Sequence, residues 1–181
     1  MSGYITKKKD MRFQSVEALQ QVVNVVNEAA AALDDPKRTI RESAIPEVLA
    51  GAFGAGIGGA ASFAALYGLG TVGLSAAGIT SGLATAGAVG GGMVAGVFVL
   101  AAPVALLAAG GVGLTAHLKS KQLRQEKERL YQEVLKKHQA IIKAQRAELN
   151  ASKERQEYLE SLNILLSQAI RDLKHDLGYA T

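Results

Sequence analysis

The sequence predicts an all-α membrane protein: a glycine-zipper transmembrane helical hairpin, preceded by an amphipathic helix and followed by a cytoplasmic coiled coil or helical hairpin. Residues 48–118 are 71 consecutive positions without Asp, Glu, Lys or Arg. This apolar tract holds 18 of the 20 glycines in the 181-residue chain. All charged residues lie outside it, in segments whose apolar residues recur at helical spacing.

The apolar tract is too long for one buried helix, because a single helix crosses the bilayer core in roughly 20 residues. It is no secretory signal, since 47 largely polar residues precede it. The chain has no cysteine, which excludes a disulfide scaffold, a thiol nucleophile and cysteine-ligated zinc. Its three histidines are widely spread, so no metal-ligand cluster is visible.

The first domain, residues 1–47, carries a helical apolar stripe and no net formal charge. The stripe consists of Val16, Leu19, Val22, Val23, Val26, Ala30 and Leu33. It predicts an amphipathic helix over 14–33 that ends at Asp34-Asp35-Pro36 and either lies on the bilayer or packs on other helices. The absence of Trp and Phe favours packing. Thr39 and Glu42 have the spacing of a capping box, and Ser43 with Pro46 predicts the start of the next helix.

The second domain, residues 48–117, is predicted to cross the membrane twice, through 48–67 and 93–116. Pro103 predicts a kink in the second span. The stretch 68–92 is a third helix, a re-entrant segment or a hairpin cap. Basic residues flank the tract on both sides, so the positive-inside rule favours an even number of crossings. We therefore expect a cytoplasmic (inner) membrane protein with both termini in the cytoplasm.

The third domain, residues 118–181, carries the net charge of +4 and two apolar stripes. The first stripe is Leu123, Leu130, Val134, Ile141 and Ala144, and the second is Leu159, Leu162, Leu166, Ile170, Leu173 and Leu177. The pattern weakens at 148–155, which leaves open one long helix with a stutter or a helical hairpin turning near 150–152. Stripes this narrow need partner helices, so we expect a homo-oligomer, a tetramer or larger.

Small residues spaced by four predict close helix packing within the tract. They are Gly78, Gly82, Ala84, Gly87, Ala88, Gly91, Gly92 and Gly96. Candidates for lining a pore are the hydroxyl residues Thr80, Ser81 and Thr85, which alternatively bond to carbonyls of their own helix.

Catalysis has little support in the sequence, and no cofactor is expected. The stretch 68–73 matches G-x-G-x-x-G, but no predicted strand precedes it and the first acid after it is Glu126. No lysine is available for a P-loop between Lys37 and Lys119.

A run of basic residues follows the tract and predicts contact with an anion. The candidate site comprises Lys119, Lys121, Arg124, Lys127, Arg129, Tyr131, Lys136, Lys137, Lys143 and Arg146. One interpretation is a topogenic flank that meets anionic lipid. The other is a ring of cations from several subunits that binds a single-stranded oligonucleotide, with Tyr131 stacking on a base.

This arrangement of a glycine-rich membrane segment and a basic helical domain resembles the small membrane effectors of bacterial anti-phage defence systems, the Hailong effectors among them. The resemblance implies a glycine-rich hairpin that oligomerises into an ion channel and a cytoplasmic helical domain that holds an inhibitory oligonucleotide. Ser75 to Gly82 is also similar to stretches in small glycine-rich interferon-inducible membrane proteins.

The sequence thus favours a homo-oligomeric channel or pore-forming effector, gated or assembled through its cytoplasmic helices. Two alternatives stay open: a non-conducting anchor that recruits a partner through its coiled coil, and a colicin-like soluble bundle that hides the hairpin until insertion.

Overall fold

The structure, a computed structural model, describes residue 5 and residues 7–56, 62–69 and 116–179. These residues contain five α-helices: α1 (Val16–Asp34), α2 (Pro46–Ala55), α3 (Phe63–Leu69), α4 (Ala116–Ala147) and α5 (Lys153–Asp176). Two 3-10 turns, Lys8–Asp10 and Ile40–Glu42, precede α1 and α2. The described ranges contain no strand, which confirms the all-α class. Of the helices in these ranges, none combines the length and the apolar composition needed to cross a membrane.

Helices α4 and α5 form an antiparallel hairpin, which decides between the two alternatives for the third domain. Three side-chain pairs show the antiparallel direction, because residue numbers rise along α4 as they fall along α5: Lys127 with Asp176, His138 with Asn163, and Glu148 with Arg155. The turn falls at 148–152, and Ser152 Oγ starts α5 by accepting the backbone N–H of Arg155 at 3.2 Å. Both predicted apolar stripes face the interior.

Helix α1 packs against α4 and α5 inside the bundle. Ser15 Oγ caps its first turn, and it ends at Asp34 as predicted. The stripe residues Leu19, Val22, Val23 and Val26 are buried, and the apolar face is wider than predicted, because Val25 and Ala32 are buried too. The apolar stripe of α1 therefore packs on helices of the same chain. Helix α1 in turn supplies a partner for the apolar stripes of α4 and α5.

The predicted single helix over 48–67 is wrong. Helix α2 ends at Ala55, where Gly56 adopts a φ of 71° that L-residues rarely reach. Helix α3 begins separately at Phe63, and its Phe63, Leu66 and Tyr67 are buried in the core. Hydropathy alone could not separate these cases, because a buried core helix and a membrane helix select the same apolar side chains.

One continuous hydrophobic core joins the described parts of all three predicted domains. Helix α5 lies at its centre and contacts α1, α2, α3 and α4. The capping box at Thr39 and Glu42 is present, but it closes the turn Ile40–Glu42, and α2 starts afterwards at Pro46.

Candidate functional site where the bundle meets the apolar tract

The helices on either side of the stretch 70–115, α3 and α4, both contact the last turns of α5, which we call the tract end. On one side, α3 begins beside Asp172, and Leu69 follows Phe63 by six residues, about 9 Å of helix. On the other side, α4 begins at Ala116 and reaches Asp176 at Lys127, about 16 Å further along the helix. Residues before and after the stretch are thus held by neighbouring turns of α5, while α3 runs from Phe13 toward Asn24 of α1 and so away from this end.

Asp176, the last residue of α5, ties the N-terminal segment and α4 together. Its carboxylate accepts the backbone N–H groups of Arg12 at 2.6 Å and Phe13 at 2.9 Å. It also accepts the Lys127 ammonium at 2.8 Å, and neither side chain of this ion pair is exposed. Burial lowers the pKa of Lys127, while the hydrogen bond and charge of Asp176 oppose that shift. Asp176 therefore accepts hydrogen bonds from three donors, two of them buried, which makes the joint sensitive to its loss.

Asp172 lies one turn earlier on the same helix and holds the start of α3. Its Oδ2 accepts the backbone N–H of Phe63 at 2.7 Å, while Ser62 Oγ accepts the N–H of Ala65 at 3.3 Å. A carboxylate there also complements the positive end of the helix dipole. Burial raises the pKa of Asp172, and the N–H of Phe63 and the charge of Arg12 oppose that shift.

Aromatic contacts complete the attachment of α3. Its Phe63 ring lies 5.8 Å from the ring of Phe13 and 5.8 Å from that of Tyr67. The Tyr67 hydroxyl accepts Asn24 Nδ2 at 3.1 Å, which links α3 to α1. Burial raises the pKa of Tyr67. The first part of the apolar tract is thus fixed by both apolar packing and buried hydrogen bonds.

A second polar cluster closes the opposite end of the bundle around Glu28 of α1. The carboxylate accepts Arg38 Nε at 2.9 Å, the backbone N–H of Ala44 at 3.0 Å and the hydroxyl of Tyr158. The hydrogen bond with Glu28 raises the pKa of Arg38, and burial raises the pKa of Tyr158. This cluster fixes the loop between α1 and α2 to α5.

Arg155 joins the α4–α5 turn to the C-terminal end of α1. Its guanidinium donates to the carbonyls of Ala32 at 2.9 Å, Arg38 at 3.1 Å and Asp35 at 3.3 Å, and to the carboxylate of Glu148. A cation at this position stabilises the negative end of the α1 dipole. The side chain is only 3% exposed, so its role is to hold these segments together.

These clusters position chain segments and present no open reactive group. Each of the buried carboxylates of Glu28, Asp172 and Asp176 already accepts hydrogen bonds from the protein. Within the described ranges, no three His, Asp or Glu residues come together as a metal site.

The structure corrects part of the predicted anion site. Lys127 is removed from it, because its ammonium is buried against Asp176. The half-buried Tyr131 ring packs 5.5 Å from the ring of Tyr179. Arg124 pairs with Glu128 at 3.0 Å, and Lys136 with Glu133 at 3.2 Å.

The remaining predicted cations distribute over α4. Lys121, Arg129, Lys136, Lys143 and Arg146 are exposed, Lys137 is half-buried, and Lys119 lies in the first turns of the helix, with its side chain outside the description. The exposed cations share one face with three exposed glutamines, Gln125, Gln132 and Gln139. We call these eight residues the basic stripe: Lys121, Gln125, Arg129, Gln132, Lys136, Gln139, Lys143 and Arg146.

The predicted packing and pore-lining residues lie outside the described residues. They are Gly78, Thr80, Ser81, Gly82, Ala84, Thr85, Gly87, Ala88, Gly91, Gly92 and Gly96. Their roles stay predictions, as does the second span over 93–116.

The buried acids were missed by the sequence reasoning, although spacing contained a signal for them. Tyr158, Leu162, Leu165 and Ala169 recur at intervals of four and three, and the same rhythm continues to Asp172 and Asp176. Lys127 likewise fills the gap between Leu123 and Leu130 in the α4 stripe. A charge in register with an apolar stripe predicts a buried ion pair.

The chain was compared with models of protein families, with curated proteins and with solved structures, and nothing in any of the three matches it.

Proposed function

We propose that the chain is a homo-oligomeric, membrane-permeabilising channel or pore, in which residues 70–115 form a two-span hairpin and the helical bundle holds both hairpin ends. The observation that carries this proposal is that α3, which precedes the stretch, and α4, which follows it, both pack in one bundle around α5. A segment that starts and finishes on the same side of a bilayer must cross it an even number of times.

The length of the remaining stretch supports two crossings. Residues 70–115 number 46 and contain no charged side chain. Two helical crossings need about 40 residues, so the stretch suffices with a short connection. The spans now fall within 70–115, because α2 and the buried part of α3 belong to the bundle.

The buried acids suggest how the bundle governs the hairpin. Asp172 holds the segment before the hairpin, while Asp176 and Lys127 hold the segment after it, and both acids lie on adjacent turns of α5. A movement of α5 therefore shifts both ends together. In this proposal the small-residue ridge from Ala84 to Gly96 packs the spans of neighbouring subunits.

The wider context remains part of the proposal. A cytoplasmic-membrane location, a role as an effector in anti-phage defence and control by an anionic ligand such as an oligonucleotide follow from the sequence resemblance and from the basic run on α4.

The direct test is release of a small ionic dye from liposomes that carry the purified full chain, with and without short single-stranded oligonucleotides. Leakage supports the pore, and a change in leakage on adding oligonucleotide supports ligand control. Absence of leakage from a membrane-inserted protein refutes the pore and leaves a non-conducting anchor. Gly92→Leu should reduce both leakage and crosslinked oligomers if the ridge packs as proposed.

A second candidate is a bundle that stores the hairpin before insertion. The observation in its favour is that Phe63, Leu66 and Tyr67, all within the apolar tract, are buried against the bundle. A stored hairpin leaves the membrane pellet without detergent, whereas an inserted hairpin resists extraction by alkaline carbonate.

A further inference from the structure

We infer that the basic stripe docks the bundle sideways on an anionic phospholipid surface, so that α4 lies along the membrane. The inference rests on the proposed membrane hairpin and adds where the bundle sits relative to the bilayer. It also assigns the surface that makes contact.

The basic stripe has no acid among its eight positions, and Glu128 and Glu133 lie at its edges. Its eight positions are all exposed and follow one another at intervals of three or four residues. Five are Lys or Arg and three are Gln. From Lys121 to Arg146 it extends about 37 Å along the helix. The buried residues Leu130, Val134 and Ile141 occupy the opposite face of α4, so the stripe points away from the core.

Acids at the edges of the basic stripe do not cancel its charge. Glu128 pairs with Arg124, and Glu133 pairs with Lys136 of the stripe itself. Glu126 interacts electrostatically with Arg129 of the stripe as well. The five stripe cations and Arg124 make six positive charges against these three acids, which leaves a net charge of +3.

A lipid surface is the occupant that position and charge favour. Each Lys or Arg held near an anionic leaflet strengthens binding about fivefold. Helix α4 begins immediately after the stretch assigned to the hairpin, so the stripe is tethered close to the bilayer and needs no separate encounter. A second copy cannot pair through the same face, because the two stripes would repel each other.

The absence of cysteine allows the contact to be measured at single positions. The full chain carrying Gln139→Cys, labelled with a fluorophore, is reconstituted into vesicles of phosphatidylcholine alone or mixed with phosphatidylglycerol. A headgroup-attached quencher reports contact with the surface. We expect quenching in the mixed vesicles, loss of it in high salt because of screening, and little quenching in neutral vesicles. The matched label at Ser167→Cys, exposed on α5, should stay unquenched.

Two triple variants distinguish an effect of the stripe residues on docking from an effect of the protein's overall charge. Arg129→Gln, Lys143→Gln and Arg146→Gln together remove three stripe charges and introduce a residue that the stripe already contains. They should lower the ratio of docked to free bundle about a hundredfold. The control, Lys37→Gln, Lys153→Gln and Arg171→Gln, removes three exposed charges elsewhere and should change the ratio less than threefold.

Carbonate extraction distinguishes failure of the docking from failure of the proposed function. An inserted protein whose Gln139→Cys label is equally quenched in neutral and anionic vesicles, or in neither, overturns the docking and leaves the hairpin intact. A protein that carbonate extracts has no membrane hairpin, which refutes the proposed function. If that protein still floats with anionic vesicles and not with neutral ones, the stripe binds anionic lipid without the hairpin; if it floats with neither, the docking is overturned too. If oligonucleotide alters the label and lipid does not, the stripe binds nucleic acid and the docking is wrong.

Discussion

Asp176→Ala is expected to lower the free energy of unfolding by about 3 to 5 kcal/mol, because it breaks a fully buried ion pair. The truncation leaves the Lys127 ammonium without its acceptor in a place with no exposed surface. It also leaves the backbone N–H groups of Arg12 and Phe13 without the carboxylate that they contact at 2.6 and 2.9 Å. Because three donors lose their shared acceptor, we expect the loss of unfolding free energy to fall in the upper half of this range.

Lys127→Met removes the other partner and should cost less, about 1 to 3 kcal/mol. Methionine replaces the aliphatic stem, and Asp176 keeps its two backbone donors. In the double variant the two losses should not add, since the buried lysine charge that penalises Asp176→Ala is gone. A coupling energy of about 0.5 to 3 kcal/mol is expected.

The assay is urea unfolding of the full chain followed by far-UV circular dichroism, with all variants in the same buffer or detergent. The matched control is Glu133→Ala, whose partner Lys136 is 70% exposed and lies at a similar 3.2 Å. An exposed pair contributes about 0 to 1 kcal/mol. If Asp176→Ala costs no more than this control, Asp176 does not organise the tract end.

Three further perturbations test other parts of the structure. Because burial raises the pKa of Asp172 above 3.8, the folded state binds its proton more tightly than the unfolded state does. Asp172→Asn should therefore match or exceed the wild type in unfolding free energy at neutral pH, with the difference shrinking as the pH falls to about 3.8; a difference that grows on acidification contradicts this. Asp172→Leu, which leaves the Phe63 N–H unpaired, should lose about 1 to 3 kcal/mol. Arg155→Lys should lower the melting temperature, because an ammonium cannot reproduce a guanidinium that contacts three carbonyls and Glu148, whereas the exposed Arg171→Lys should leave it unchanged. Gly56→Ala should destabilise by about 1 to 3 kcal/mol at its φ of 71° and ψ of 171°, a backbone region that is essentially restricted to glycine, although a Cβ there meets nothing within 4 Å. Gly54→Ala, inside α2 and equally unobstructed, should stabilise by about 0.5 to 1 kcal/mol, and equal effects at the two glycines would refute the conformational explanation.

Much of the helical framework was predictable because local spacing determines it. The stripe of α1, its end at Asp34 and the two stripes of the C-terminal domain all follow from apolar residues at intervals of three and four. The choice between a long helix and a hairpin was not predictable in the same way. It depends on contacts between segments distant in sequence, such as those of Arg155 with carbonyls at and after the end of α1, more than 110 positions away.

The site was less predictable, because its residues combine only in three dimensions. Asp172 and Phe63 lie 109 positions apart, and no local pattern pairs a carboxylate with a backbone N–H at that distance. The interpretation of 48–67 as a span failed for a related reason: Phe63, Leu66 and Tyr67 are as apolar as a membrane helix requires, and only their contacts with the bundle reveal a core role. For the cations of α4, sequence identified the residues but not which of them face outward.

The central position of α5 has a consequence for the order of events during synthesis. Every other described helix packs on α5, yet its last residue, Asp176, is made 58 residues after the apolar tract ends at 118. At about 5 to 20 residues per second, that separation is roughly 3 to 12 s. During that interval the apolar tract has left the site of peptide-bond formation while the bundle still lacks its centre. The tract therefore meets whatever accepts it, whether membrane or chaperone, before α1, α2 and α3 acquire the helix against which they pack.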